Sequence, residues 1–194
     1  MASTYTTSYG IEKIGSGEQS GAWGTTTNHN IDILDRIAAY KAVALSGTTH
    51  TLTVREASPG SGTENLQDGM FRVIKFTGAL GANNTVTIAP NTTAAYFLII
   101  NATTDSGSSG PYNVILTQGS GANITVANGA QDLVYCDGGG SGAIVYSFFA
   151  GGLTVGGLTT AAATITGGSV TGITDITVAD GGTGASTFTD GGVL

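Results

Sequence analysis

Cationic side chains are missing from most of this 194-residue sequence. All six Lys and Arg residues lie within residues 1–75, whereas residues 76–194 contain six Asp and no Lys or Arg. The formal net charge is −7 at pH 7. Because so long a cation-free stretch cannot neutralise phosphates, we expect neither nucleic acid nor an anionic membrane surface as a partner.

Cysteine and long apolar runs are also scarce. The single cysteine, Cys136, excludes an internal disulfide framework, and its apolar neighbours predict a small core side chain. The longest apolar runs, such as residues 97–100, fall far short of the roughly 18–20 residues that a membrane-spanning helix needs. The N-terminal MASTYTTSYG lacks the basic and apolar parts of a signal peptide. We therefore expect no membrane insertion.

Signatures of catalysis and cofactor binding are missing as well. The sequence has no G-x-S-x-G elbow and no phosphate-binding G-x-x-x-x-G-K loop. We predict that His29, in a polar loop, and His50, at the start of a strand, are ordinary surface residues. Asp137 precedes Gly-Gly, and Asp-Gly is typical of a hairpin turn. We therefore interpret Asp137 as a turn residue rather than as a catalytic carboxylate of a glycosidase. We expect no enzymatic activity, no metal ion and no other cofactor.

Glycine and strand-forming residues are what the sequence has in abundance. It contains 32 Gly, and its 40% hydrophobic residues provide enough apolar surface to fold. From about residue 50 to 150, short runs rich in Val, Ile, Thr, Tyr and Phe alternate with turn residues, which predicts strands. AYFLIIN, residues 95–101, does not alternate and is predicted to be a central strand covered on both faces. The pattern predicts a mainly β chain with an antiparallel β-sandwich or jelly-roll-like module over residues 48–150.

One stretch, residues 31–45, has a helical period of apolar residues. Asn28 and Asn30 are plausible N-caps, and Asp32 and Asp35 would lie near the positive end of the helix dipole. The apolar stripe must rest on this chain or on a neighbour. Its members are Ile31, Leu34, Ala38, Ala42 and Leu45.

Residues 1–47 form the predicted N-terminal arm, which includes this helix and the only tryptophan, Trp23. An irregular arm with a tryptophan but few other apolar residues is typical of a segment that docks on another surface. The predicted docking residues are Trp23, Ile31, Leu34 and Ile37.

The distal residues 151–194 differ from both preceding regions. Gly doublets separate isolated aliphatic residues that stand among threonines. So few apolar side chains cannot enclose a core, so we expect order to come from copies of the segment wrapped around a shared axis. The predicted axis residues are Leu153, Leu158, Ile165, Val170, Ile173, Ile176 and Val178.

Three parts of the sequence resemble tail fibres and related structural proteins of bacteriophages. They are GSGEQSGAWGTTTNHNIDILD at residues 15–35, the run from VIKFTGALGANNTVTIAP to DLVYCDGGG at residues 73–140, and GGSVTGITDITVADGGTGAST at residues 167–187. The resemblance implies a virion protein that forms a homotrimer, docks on other virion proteins through its N-terminal part and points its distal part toward the host. Because no recognisable tip domain follows FTDGGVL, we expect either a short adaptor or the proximal part of a longer fibre, and the proximal part is the leading interpretation.

Two alternatives share this sequence pattern. One is a capsid decoration protein or head fibre, which would form the same trimer but dock on the capsid. The other is a carbohydrate-binding adhesin module, for which the partner would be a host surface glycan. For the leading interpretation, a fibre, the predicted organisation is an attachment arm at 1–47, a β module at 48–150 and an intertwined trimeric β shaft at 151–194.

Overall fold

The fold is taken from a computed structural model, which describes residues 2–55, 66–107 and 109–149. The chain divides into two units, residues 1–154 and 155–194, and every described residue belongs to the first. The predicted shaft at 151–194, with all seven predicted axis residues, lies outside the described residues. The predicted trimer axis therefore stays a prediction.

The described part of the chain is mainly β with one α-helix, as the sequence predicts. The helix, α1, covers Trp23–Arg36, and short 3-10 helices cover Asp68–Met70 and Gly140–Gly142. The strands are β1 Thr4–Tyr5, β2 Glu12–Lys13, β3 Tyr40–Ala44, β4 Thr49–Thr53, β5 Val73–Thr77, β6 Ala79–Leu80, β7 Asn84–Ala89, β8 Ala95–Asn101, β9 Thr104–Asp105, β10 Val114–Thr117, β11 Ile124–Val126, β12 Gln131–Cys136 and β13 Val145–Ser147.

Between β3 and β10, the strands of the two larger sheets alternate along the chain, while β6 and β9 pair with each other outside these sheets. The five-stranded sheet has the order β13-β12-β8-β5-β3, and the four-stranded sheet has the order β11-β10-β7-β4. Because the chain leaves each sheet and returns before adding the next strand, β3, β5 and β8 are parallel, as are β4, β7 and β10. Antiparallel pairs join only β12 to β8, β12 to β13 and β10 to β11 in these two sheets. The predicted antiparallel arrangement is therefore wrong, since short connections such as residues 45–48 cross over instead of folding back as hairpins.

The two sheets share one hydrophobic core built from alternate strand positions. Phe76 and Phe97 from one sheet and Leu52 and Ile88 from the other are fully or almost fully buried in it. Cys136 is also buried there, which confirms its predicted place in the core. These inward residues come from strands whose other face points away from the core.

Strand β8 is the middle strand of the five-stranded sheet, as AYFLIIN predicted. Its two faces are not both covered, however. Phe97 and Ile99 are buried, whereas Tyr96 and Leu98, which alternate with them, are exposed. The continuous apolar run is therefore a strand with one face in the core and one apolar face exposed to solvent.

Helix α1 begins and ends about eight residues before the predicted helix. Tyr40–Ala44 instead form β3, parallel to β5, and Val43 and Leu45 fill the core while Ala42 and Ala44 are exposed. Core burial of alternate residues outweighs the high helix propensity of these alanines. The predicted caps are wrong too, because the N-cap is Ala22 and makes no side-chain capping bond.

Tertiary contacts hold the early part of α1 in place. Thr26, His29 and Ile33 are buried on one side of the helix. The Asn30 side chain donates to the Glu12 carbonyl at 2.9 Å and accepts from the Glu12 N–H at 3.0 Å. These contacts offset the poor helix propensity of Thr and Asn. His29 is therefore buried in a helix, and the prediction of a surface residue in a loop is wrong.

Candidate interaction surfaces

The outer face of the five-stranded sheet carries a row of tyrosines. The register places Tyr146 on β13 opposite Tyr135 on β12, and Tyr135 opposite Tyr96 on β8. Side chains of paired residues lie on the same face of a sheet, so the three rings form one row across three strands. Their exposed fractions are 48%, 49% and 53%, so about half of each side chain faces solvent.

A second apolar row runs beside the tyrosines. Leu133 pairs with Leu98, which pairs with Val73 on β5. The Phe148 N–H donates to the Leu133 carbonyl at 2.8 Å, so this 65% exposed phenylalanine follows the same row beyond β13. We call the outward residues of the two rows the aromatic face: Tyr96, Leu98, Leu133, Tyr135, Tyr146 and Phe148.

The aromatic face contains a shallow groove of about 220 Å³. The rings of Tyr135 and Tyr146 lie against it with centroids 6.2 Å apart and an interplanar angle of 24°, a stacked arrangement. Apart from backbone atoms, the polar groups of its lining are three phenol hydroxyls and the Ser147 hydroxyl, and none of its lining side chains is charged. The groove therefore offers mainly hydrocarbon and ring surface to a partner.

Arg72 lies behind one end of the tyrosine row. It is only 7% exposed, and its guanidinium carbon is 5.4 Å from the centroid of the Tyr96 ring and 5.1 Å from that of Tyr9 in the N-terminal arm. Nη1 also donates to the carbonyls of Phe71 and Tyr96, at 3.3 and 3.5 Å. Cation–π contacts of this kind hold both the arm and the Tyr96 ring against the sheet.

The outer face of the four-stranded sheet has different chemistry. Thr51 on β4 pairs with Thr87 on β7, which pairs with Thr117 on β10. Each of the three is next to an inward core residue: Leu52 follows Thr51, and Leu116 precedes Thr117. Threonine hydroxyls hydrogen-bond to water, so this face suits solvent, whereas the aromatic face leaves apolar surface in water.

Helix α1 exposes three of the four predicted docking residues. Trp23, Ile31 and Leu34 are 63%, 55% and 51% exposed, and their spacing places them on one side of the helix. The side that carries Ile33 is buried. The fourth residue, Ile37, is the half-buried C-cap and is not part of this exposed stripe. We call Trp23, Ile31 and Leu34 the helix stripe.

The turn between β12 and β13 is organised by Asp137. Its Oδ1 accepts from the N–H groups of Ile144 at 3.0 Å and Gly139 at 2.9 Å. The backbone hydrogen bonds from Ile144 and Gly139 lower the pKa of this carboxyl. Asp137 thus serves the hairpin that carries Tyr135 and Tyr146, as its Asp-Gly signal predicted.

Two searches of the described residues concern other kinds of site. No group of three or more His, Cys, Asp or Glu residues lies close enough to hold a metal ion within these ranges. Helix length and hydropathy together leave the described part of the chain without a candidate for a bilayer-spanning helix.

Sequence reasoning missed the aromatic face. The signal was present, because each tyrosine of the row directly follows a residue that is buried in the core, in A-Y-F, V-Y-C and V-Y-S. Only the register shows that the three outward rings are neighbours. The helix stripe was found in part, because its spacing can be seen in the sequence itself.

Comparison with protein-family models, with curated proteins and with solved structures found no match to this chain. The fold and surfaces of the described residues define a class: a mainly β protein whose two larger sheets are mixed, with an exposed aromatic sheet face and an exposed helix stripe. A more specific function has to be argued from those surfaces together with the sequence.

Proposed function

We propose that this chain is a structural virion protein, the proximal part of a homotrimeric bacteriophage tail fibre. Its N-terminal region anchors the fibre to the tail, and its trimeric body presents the parts that contact the host. The observation that carries the proposal is the helix stripe, because Trp23, Ile31 and Leu34 are large apolar side chains that the chain itself leaves more than half exposed.

The helix stripe suits docking because α1 is already fixed on its other side. Ile33 is fully buried there, and Asn30 makes two hydrogen bonds to the Glu12 backbone. A preorganised helix loses little conformational entropy on binding, so more of the interaction energy appears as affinity. Tryptophan is also among the residues most enriched at the energetic centres of protein interfaces.

Trimerisation is supported by the composition of residues 151–194. The segment has isolated aliphatic residues, many Gly and Thr, and no cation. Copies wound around one axis would bury those aliphatic side chains together and pair strand edges that one chain leaves open. Several fibres on one particle could then bind the host surface at the same time, so that individually weak contacts give the particle a high avidity.

The first test is the mass of the full chain in solution, measured by analytical ultracentrifugation. We expect three times the 19.3 kDa chain mass at micromolar concentration. A folded species of one chain mass at that concentration would contradict the homotrimer.

The second test locates the protein on purified phage particles by immunogold electron microscopy. We expect label on the tail, and label on the capsid would favour a decoration protein or head fibre instead. In phage that carry Leu34→Lys, a charge in the helix stripe should remove the label from the tail. Thr25→Lys, at an exposed position on another side of α1, is the matched control and should leave the label in place.

A further inference from the structure

We propose that the aromatic face is the surface through which copies of this chain contact one another. The inference rests on the proposed homotrimer, and it assigns the contact to Tyr96, Tyr135, Tyr146 and their apolar neighbours. The occupant is a second copy of the same chain.

The size of the aromatic face fits a protein interface. An aromatic side chain buries about 150–250 Å² when fully covered, so four that are about half exposed, with Leu98, leave roughly 450 Å² of mainly apolar surface. Exposed patches of about 300–600 Å² are the largest on ordinary monomers and are often functional. The face would supply more than half of the roughly 800 Å² that each partner contributes to a standard interface.

The net negative charge of the chain restricts the surfaces through which two copies can meet. With a net charge of −7, two copies can meet only where their carboxylates stay apart. None of the residues of the aromatic face is charged, and on β12 the acidic residue, Asp132, has the inward alternation of its neighbour Val134. A second copy can therefore approach this face without like-charge repulsion, whereas a charged partner would find no complementary side chain in its lining.

The polar groups of the groove fit a sugar poorly. Carbohydrate recognition needs several hydrogen-bonding groups that converge on the hydroxyls of the ligand, as well as a ring to stack on. Here the non-phenolic hydroxyl of the lining, on Ser147, already accepts the N–H of Phe149 at 3.0 Å. Contact between the aromatic rings of two copies would bury more of this apolar surface than a sugar would.

Chain continuity links the face to the proposed trimer. Strand β13 is an edge of the five-stranded sheet, and it is the last strand of the described residues before the distal segment at 151–194. Tyr146 lies on this strand, and Phe148 follows it directly. Copies that meet through the aromatic face bring together the points from which their distal segments continue.

The test compares two lysine substitutions in the full chain at central positions of the two outer faces. Tyr135→Lys places a charge in the tyrosine row, and Thr87→Lys places the same charge on the threonine face. By ultracentrifugation over a concentration series, we expect Tyr135→Lys to weaken association about 30-fold or more, the range of an interface hot spot. Thr87→Lys, which lies on the other outer face, should leave association within about threefold of the wild type.

A photo-crosslinking amino acid provides a measurement that does not depend on a disruptive change. Placed at Tyr146 in the otherwise wild-type chain, it should give covalent dimers and trimers on irradiation, whereas the same group at Thr87 should give none. A wild-type trimer that is unaffected by Tyr135→Lys and does not crosslink from Tyr146 would overturn the inference and leave the proposed function standing. A monomeric wild-type chain would instead contradict the homotrimer itself. Binding of the trimer to immobilised glycans that Tyr135→Lys abolishes, without any change in association, would assign the face to carbohydrate and also overturn the inference.

Discussion

Substitution of Gly78 by alanine should destabilise the fold through one close backbone contact. Gly78 lies between β5 and β6 with φ +108°, a conformation that side chains rarely adopt. A Cβ at this position would lie 2.3 Å from the Leu45 carbonyl oxygen and 3.2 Å from the Leu45 nitrogen. Leu45 cannot move away freely, because its N–H donates to the Thr77 carbonyl at 2.8 Å.

The expected cost follows from two contributions. Holding alanine in this region of φ costs about 1–3 kcal/mol. Relieving the contact with Leu45 loses or weakens a backbone hydrogen bond, which is worth about 1 kcal/mol net. We expect the free energy of unfolding to fall by about 3 kcal/mol for Gly78→Ala.

A second glycine separates the conformational cost from the steric cost. Gly129 also has a positive φ, +75°, but a Cβ there would meet no atom within 4 Å. Gly129→Ala should therefore cost only about 1–2 kcal/mol from the left-handed backbone. The difference between the two variants measures the close approach of Gly78 to Leu45.

Cys136 provides the assay. Its thiol is fully buried, and burial, with a smaller effect of Asp137, raises its pKa to about 12, so a thiol reagent at pH 8 should react only when the structure opens. Since about 1.4 kcal/mol changes an equilibrium constant tenfold, labelling of Gly78→Ala should be roughly 100-fold faster than the wild type and roughly 5–30-fold faster than Gly129→Ala. Urea unfolding followed by circular dichroism should rank the variants in the same order. Equal labelling rates and equal urea midpoints for the two alanine variants would refute the steric argument.

Two further predictions concern the supports of the aromatic face. Because its hydrogen bonds lower the pKa of Asp137 in the folded state, the stabilisation they give is present above the unfolded pKa, near 3.8, and is lost as the pH falls through the lower folded value. Acid unfolding profiles should therefore show a contribution in the wild type that Asp137→Asn removes, and identical profiles would contradict this role. Arg72→Met should lower the free energy of unfolding by about 2–4 kcal/mol, because the cation–π contacts to Tyr9 and Tyr96 and two hydrogen bonds are lost. A urea midpoint unchanged from the wild type would show that these contacts do not stabilise the fold.

The β character of this protein could be predicted from local pattern, but the pairing of its strands could not. Short runs rich in Val, Ile, Thr, Tyr and Phe predicted strands between about residues 50 and 150, and turn residues such as Asp137 marked a hairpin. Parallel pairing between β5 and β8 depends on the chain crossing to the other sheet in between. That crossing is set by how two apolar faces close over one core, which a short window of sequence does not contain.

The position of the helix could not be predicted from local sequence either. YKAVAL satisfies both a helical stripe and an alternating strand pattern, so local propensity did not decide between them. Burial of Val43 and Leu45 in the core decided for the strand. Tertiary contacts also favoured a helix where propensity did not. The burial of Thr26 and the hydrogen bonds of Asn30 stabilise a helix in a segment of low helix propensity.

The sequence by itself determined that the chain would be mainly β, that Cys136 would be buried and that the N-terminal region would carry large apolar residues. These properties could be predicted because composition and two-residue alternation can be recognised within a single strand. Only the tertiary structure decided that Tyr96, Tyr135 and Tyr146 would form one row and that the helix stripe would be left uncovered. Neighbourhood across strands depends on register, which is fixed by contacts between residues far apart in the chain.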